Sequence, residues 1–190
     1  MKKVILVHGW TGTPHSDWLP WLKNELEERN FEVIVPQLPN TDYPHIDTWV
    51  PALAAAVDKP GVDTYFVGHS MGCQTIARYL EGLNDGIKVG GVVFVAGFFK
   101  RLTEIDEEDK DIEIEWLSAP IDLSKVKERI SKSVAIFSDN DKFVPEDNID
   151  DFRDKLGSEI VIEHNMHHFN QGAGIRKAPI VLTKLLEICK

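Results

Sequence analysis

Thr64-Tyr65-Phe66-Val67-Gly68-His69-Ser70-Met71-Gly72-Cys73 decides how the rest of the chain reads. Thr64–Gly68 is a short, nearly continuous apolar run, the pattern of a strand covered on both faces. From Met71 the spacing changes, and Ile76, Leu80 and Leu83 predict a helix over Met71–Leu83. Between the two lies Gly-x-Ser-x-Gly. A serine on a sharp strand-to-helix turn presents its Oγ clear of the sheet, and the flanking glycines let strand and helix approach closely. The helix N-terminus adds partial positive charge beside the hydroxyl. The plainer alternative is an ordinary turn with a capping serine.

The same alternation extends in both directions. Val4–Val7, Val33–Val35, Val92–Ala96, Val134–Phe137 and Ile160–Ile162 read as further strands, making six with Thr64–Gly68. Helices are expected at Asp17–Arg29, Asp47–Asp58, Ser124–Ile130, Glu146–Leu156 and Arg176–Ile188 as well as Met71–Leu83. Alternating short strands and helices imply right-handed crossovers and a doubly wound, mainly parallel α/β sheet. No linker or repeat divides the chain, so residues 1–190 are expected to form one domain. Phe98–Leu123 breaks the rhythm and carries eight carboxylates between Glu104 and Glu115. Two readings are open: a solvated acidic loop or helix, or a small lid whose Phe98, Phe99 and Trp116 face a substrate.

A formal net charge of −10 opposes nucleic acid and anionic membrane surfaces as partners. The two cysteines, Cys73 and Cys189, show no disulfide spacing, and the apolar run Val4–Val7 is too short for a leader or a membrane span. A cytoplasmic setting is expected.

A serine hydroxyl needs a general base, and the base an orienting acid. After Ser70 the histidines are His164, His167 and His168, all beyond the last expected strand. His168 is preferred and His167 is the alternative. His164 lies too close to the strand end. The three together also resemble a metal-ligand cluster, but no matched Cys or acidic partner lies nearby in sequence. For the acid, Ser138-Asp139-Asn140-Asp141 follows the fifth strand. Asp141 is preferred, because the chain must leave the strand before a carboxylate turns back, with Asp139 the alternative and otherwise a turn former. An oxyanion hole needs two N–H donors, expected from Met71 and from Trp10 in the loop His8-Gly9-Trp10-Thr11-Gly12.

With these residues in view, the chain resembles the small single-domain serine hydrolases of the YdeN and retinoblastoma-binding protein 9 type. The resemblance spans essentially the whole chain. It rests on Val7-His8-Gly9-Trp10, Trp18-x-x-Trp21-Leu22, Pro36-x-Leu38-Pro39-Asn40, Trp49, Val67-Gly68-His69-Ser70-Met71-Gly72-Cys73, Asp141-x-x-Val144-Pro145 and His168-Phe169. It implies an α/β-hydrolase core with little cap and a triad of Ser70, Asp141 and His168. At one position the chain departs: the family usually has Gly before its catalytic histidine, whereas this chain reads Met166-His167.

The expected activity is hydrolysis of a small or short-acyl carboxylic ester through an acyl-enzyme, with no metal or organic cofactor implied. A peptidase, amidase or acyltransferase would use the same triad. A different class of reading is a protein-binding module that keeps the hydrolase shell, with Trp10, Trp18 and Trp21 as exposed anchors in place of core residues.

Overall fold

The computed structural model describes residues 1–190. Six strands form one sheet: β1 (Lys3–Val7), β2 (Glu32–Ile34), β3 (Thr64–His69), β4 (Gly91–Val95), β5 (Ser133–Ser138) and β6 (Glu159–Glu163). Their order is β2-β1-β3-β4-β5-β6, and every pairing is parallel. Six α-helices accompany them: α1 (Leu19–Glu27), α2 (Ile46–Val57), α3 (Met71–Glu81), α4 (Lys110–Ser118), α5 (Leu123–Glu128) and α6 (Pro179–Ile188).

The two-residue period of the strands sorts the core into two layers. Ile5, Val7, Phe66, Val92 and Phe94 point to the face covered by α2, α3 and α5. Val4, Leu6, Val67, Val93 and Val95 point to the face covered by α1 and α6. Both faces are apolar because both are covered, which is why the central strands read as unbroken hydrophobic runs. The order reverses between β1 and β3, so a crevice opens beyond their C-terminal ends. The Trp10 loop leaves one of those ends and Ser70 leaves the other. No helix is long and apolar enough to cross a membrane.

Three local expectations change. α1 begins at Leu19, with Pro20 in its first turn, which leaves Asp17 outside the helix at φ 56°. Glu146–Leu156 is not one helix but a 3-10 turn (Glu146–Asn148) followed by a π-helical turn (Asp151–Leu156) that stops at Gly157, φ 71°. Within Phe98–Leu123 the chain forms α4, whose acidic first turn suits the positive end of a helix. Arg78 Nη2 of α3 donates to the carbonyls of Trp116 and Ala119 at 2.8 Å each, neutralising the opposite end.

Candidate active site

Ser70 sits at φ 51°, ψ −120°, between the end of β3 and the start of α3. A residue with a side chain avoids this conformation, and it is held here by tight packing on both sides. A Cβ on Gly68 would lie 2.8 Å from Ile76 Cδ1 and 2.9 Å from Cys73 N; one on Gly72 would lie 2.4 Å from Val7 O and 2.6 Å from His8 O. α3 therefore reaches β1 only because position 72 lacks a side chain. Gly72→Ala must push backbone away from backbone. We expect it to destabilise the fold by about 2–4 kcal/mol, read as a lowered urea midpoint, with loss of activity. An unchanged midpoint would contradict the close approach.

His168 lies opposite. His168 Nε2 is 2.9 Å from Ser70 Oγ, and its Nδ1 is 2.8 Å from Asp141 Oδ2. The Asp141 side chain is 3% exposed, and its Oδ1 accepts the N–H groups of Phe143 and Val144. A carboxylate fixed on both oxygens leaves the ring one sensible tautomer: Nδ1–H toward Asp141 and a bare Nε2 toward the hydroxyl. The two alternatives kept open by the sequence go elsewhere. Asp139 binds His164 Nδ1 at 2.6 Å and the Asn165 N–H at 2.9 Å, on the surface. His167 is exposed and lies against Asn140, 3.3 Å from its amide nitrogen. The three late histidines thus face three different partners rather than a common point. His167 stands at φ 49°, a left-handed conformation that favours glycine, which accounts for the glycine common at this place in the family resembled.

Two backbone N–H groups beside the crevice are free of partners within the protein. Trp10 N–H makes no hydrogen bond within the protein, whereas the next, Thr11 N–H, is taken by Thr41 O at 2.9 Å. Met71 N–H is the first of α3 and has no acceptor within the helix. Both residues line the crevice with Ser70.

The crevice has a volume of about 380 Å³. Its apolar wall is Trp10, Phe98, Leu102, Ile105 and Phe143, and its polar side carries Asp17, Glu104, Asp106 and Asp109. Phe98 faces it as expected. Phe99 and Trp116 do not. Phe99 stacks on Phe152 at 4.6 Å, away from the crevice. Trp116 is 1% exposed, donates Nε1–H to Pro44 O and packs edge-on against Trp49 at 5.7 Å. The apolar spacing of α4 turns it inward, so it is a core residue. The segment before α4 supplies the wall instead. It is pinned there: buried Asn148 accepts the N–H groups of Phe99 and Lys100 on Oδ1 and donates to Arg101 O, and Thr103 N–H binds Phe143 O. Neither sequence reading of this segment is adequate alone, since its first half borders the crevice and its second half joins the core. Asp17, His69 and Phe143 also line the crevice and were not singled out. Phe143 stood two residues past the expected acid, and His69 stood inside the serine motif.

The remaining buried groups are inert. His8 donates Nδ1–H to Gly9 O and accepts the Leu38 N–H on Nε2, and burial lowers its pKa, so it stays neutral. Cys73 Sγ donates to Gly68 O, and burial pushes its thiol up. Trp18 is fully buried and Trp21 packs against the second core layer, which takes two of the three anchors from the binding-module reading.

A parallel sheet with this strand order and a serine at the β3–α3 turn defines an α/β-hydrolase. The serine hydrolase family profile matches residues 4–187, and the chain belongs to that family. It is similar to YdeN of Bacillus subtilis (strain 168), with 28% identity over 180 residues, 95% of this chain and 92% of that protein. The solved structure of the B. subtilis ydeN gene product superposes with a TM-score of 0.91 at 27% identity, covering 99% of this chain and 98% of that one. Est1E from Butyrivibrio proteoclasticus shares the fold at 13% identity, with a TM-score of 0.72 over 98% of this chain and 88% of that one. The protein is a serine hydrolase.

Proposed function

We propose that this hydrolase cleaves small or short-acyl carboxylic esters through a Ser70–His168–Asp141 triad and an acyl-enzyme. The observation that carries the reading is the unbroken relay of 2.9 Å and 2.8 Å contacts opening onto a small crevice. Ser70 Oγ attacks the ester carbonyl carbon as its proton passes to His168 Nε2. The carbonyl oxygen becomes an oxyanion facing the N–H groups of Trp10 and Met71, donors worth about 3 kcal/mol each in such sites. The C–O bond to the alcohol breaks, and His168 returns the proton to the leaving alkoxide. Water then attacks the acyl-enzyme with His168 again as base, and Ser70 regains its proton. Asp141 keeps the imidazole oriented and stabilises its charged form. Cys73 and Cys189 are free and buried, which fits a reducing, cytoplasmic setting.

The lining of the crevice supports a small, neutral acyl group. That lining has four carboxylates and no Lys or Arg. A neutral acyl group of a few carbons fits its apolar wall, whereas a terminal carboxylate is repelled. We expect p-nitrophenyl acetate or butyrate to exceed a hemisuccinate ester in kcat/KM by about tenfold or more, a difference of about 1.4 kcal/mol. Fluorophosphonate labelling beside this ester series tests the whole reading. Wild-type protein that neither labels nor turns over any ester would overturn it. Labelling without ester turnover would move the substrate class to amides or peptides.

A further inference from the structure

His69 is a buried imidazole beside the nucleophile that the hydrolytic steps leave unused. Its side chain is 4% exposed. Its Nε2 lies 2.8 Å from the backbone carbonyl oxygen of His168. A carbonyl only accepts, so Nε2 carries the proton. On the far side, Nδ1 makes no hydrogen bond and lies 3.4 Å from Asp17 Oδ2. Asp17 is fixed in turn, because Oδ1 accepts the Gln171 N–H at 2.8 Å. Burial opposes ionisation of Asp17, but the His69 side chain and the Gln171 N–H outweigh it and hold the carboxyl below its ordinary range. Trp18 packs against the His69 ring at 5.8 Å, and the His168 ring lies 5.2 Å away.

The loop that carries His168 needs external support. Asn165, His167 and Phe169 adopt φ of 58°, 49° and 53°, each unfavourable for a residue with a side chain. From the β5 side, the N–H groups of Asn165, Met166 and His167 bind Asp139, Ser138 and Asn140. From the β1–β3 side, two carbonyls are held: Phe169 O by Trp18 Nε1–H at 3.0 Å and His168 O by His69. Of these main-chain bonds, only the one from His69 acts on His168 itself.

We propose that His69 positions the base by clamping the main chain of His168, so that the His168 Nε2 stays on Ser70 Oγ. The proposal rests on His168 being the base, as argued above. His69 exchanges no proton with substrate in this role and acts through His168.

The test uses the full chain and a p-nitrophenyl ester. His69→Leu lowers kcat about 10- to 100-fold while KM moves less than about threefold, because geometry at the reacting atoms is lost and substrate contacts are not. His69→Gln, whose amide nitrogen reaches the place of Nε2, restores most of that loss. Thermal melts of both variants show whether each is folded. A folded His69→Leu with kcat within about twofold of wild type overturns the proposal. So does a folded His69→Gln as impaired as His69→Leu, which would mark a space-filling role. Nitrogen-15 NMR of histidine-labelled wild type needs no variant: a protonated His69 Nε2 supports the clamp, and a bare one overturns it. An inactive wild type would remove the hydrolase reading and this proposal together, whereas an active wild type with an unaffected His69→Leu would remove the proposal alone.

Discussion

Ser70→Ala lowers kcat/KM for any ester the protein hydrolyses by about 10,000-fold or more, approaching 1,000,000-fold if only the crevice remains to assist water. The atom removed is the one that forms the new bond, and no neighbour replaces it. Cys73 is the nearest thiol in sequence, but its Sγ is buried against Gly68 O and burial disfavours the thiolate. Thr75 Oγ1 is committed to Met71 O at 3.0 Å. Fluorophosphonate labelling vanishes in the same variant, since it requires the same oxygen. The fold is not at risk. Ser70 Oγ has His168 as its single side-chain partner, and a methyl group suits the strained turn at least as well. The melting temperature therefore stays within a few degrees of wild type. A folded Ser70→Ala that kept more than about a hundredth of the activity would mean that another group attacks the substrate, and the mechanism would fall with it.

The sheet was legible because its strands are buried on both faces and short, so composition alone marks them. β3 and the turn after it carried the most information. Gly68, Ser70 and Gly72 are dictated by a backbone approach that leaves no room for other residues, and such constraints are visible in one sequence. Asp141 and His168, the acid and base of the proposed triad, were chosen by chain order and by their place after β5 and β6, and the two side chains meet at 2.8 Å. What separates them from Asp139 and His167 is a division of labour that sequence does not display. All of Ser138, Asp139 and Asn140 hold the histidine loop by its N–H groups, and only Asp141 reaches the ring.

The acidic segment was the least legible part. Its eight carboxylates fit a loop or a helix on the surface, and the burial of α4 was not readable because the helix owes its place to partners far away in the chain. Arg78 caps its C-terminal carbonyls, and Glu115 binds His45 Nδ1 and the Ile46 N–H at the start of α2. None of these contacts leaves a periodic trace. Trp116 was misplaced for the same reason: an aromatic in an acidic stretch looks like a binding residue until the helix that turns it inward is known. His69 and Asp17 were overlooked because a histidine inside the serine motif and an aspartate before a helix both have ordinary explanations. Their closeness at the crevice, 3.4 Å, comes only with the tertiary fold.

His168→Ala and His167→Ala, adjacent in sequence, are expected to differ by about 1,000-fold or more in kcat/KM. Removing His168 leaves Ser70 Oγ without an acceptor for its proton, and every other imidazole is engaged or distant. His8 is bonded on both nitrogens within the β1 loop. His69 directs Nε2 to a carbonyl rather than to the hydroxyl. The His164 side chain is 81% exposed and paired with Asp139. His167 has a long contact with Asn140 and no path to the serine, so its loss costs at most a few-fold, through loosening of the loop. The space vacated in His168→Ala lies beside the crevice, walled by Phe143 and open to small molecules. Added imidazole should therefore recover part of the rate in His168→Ala and none in Ser70→Ala, which distinguishes a missing base from a collapsed site. If the two histidine variants instead lost activity equally, or if imidazole rescued neither, the proton would have to leave Ser70 by another route, and the 2.9 Å contact would be a neighbour's contact rather than a catalytic one.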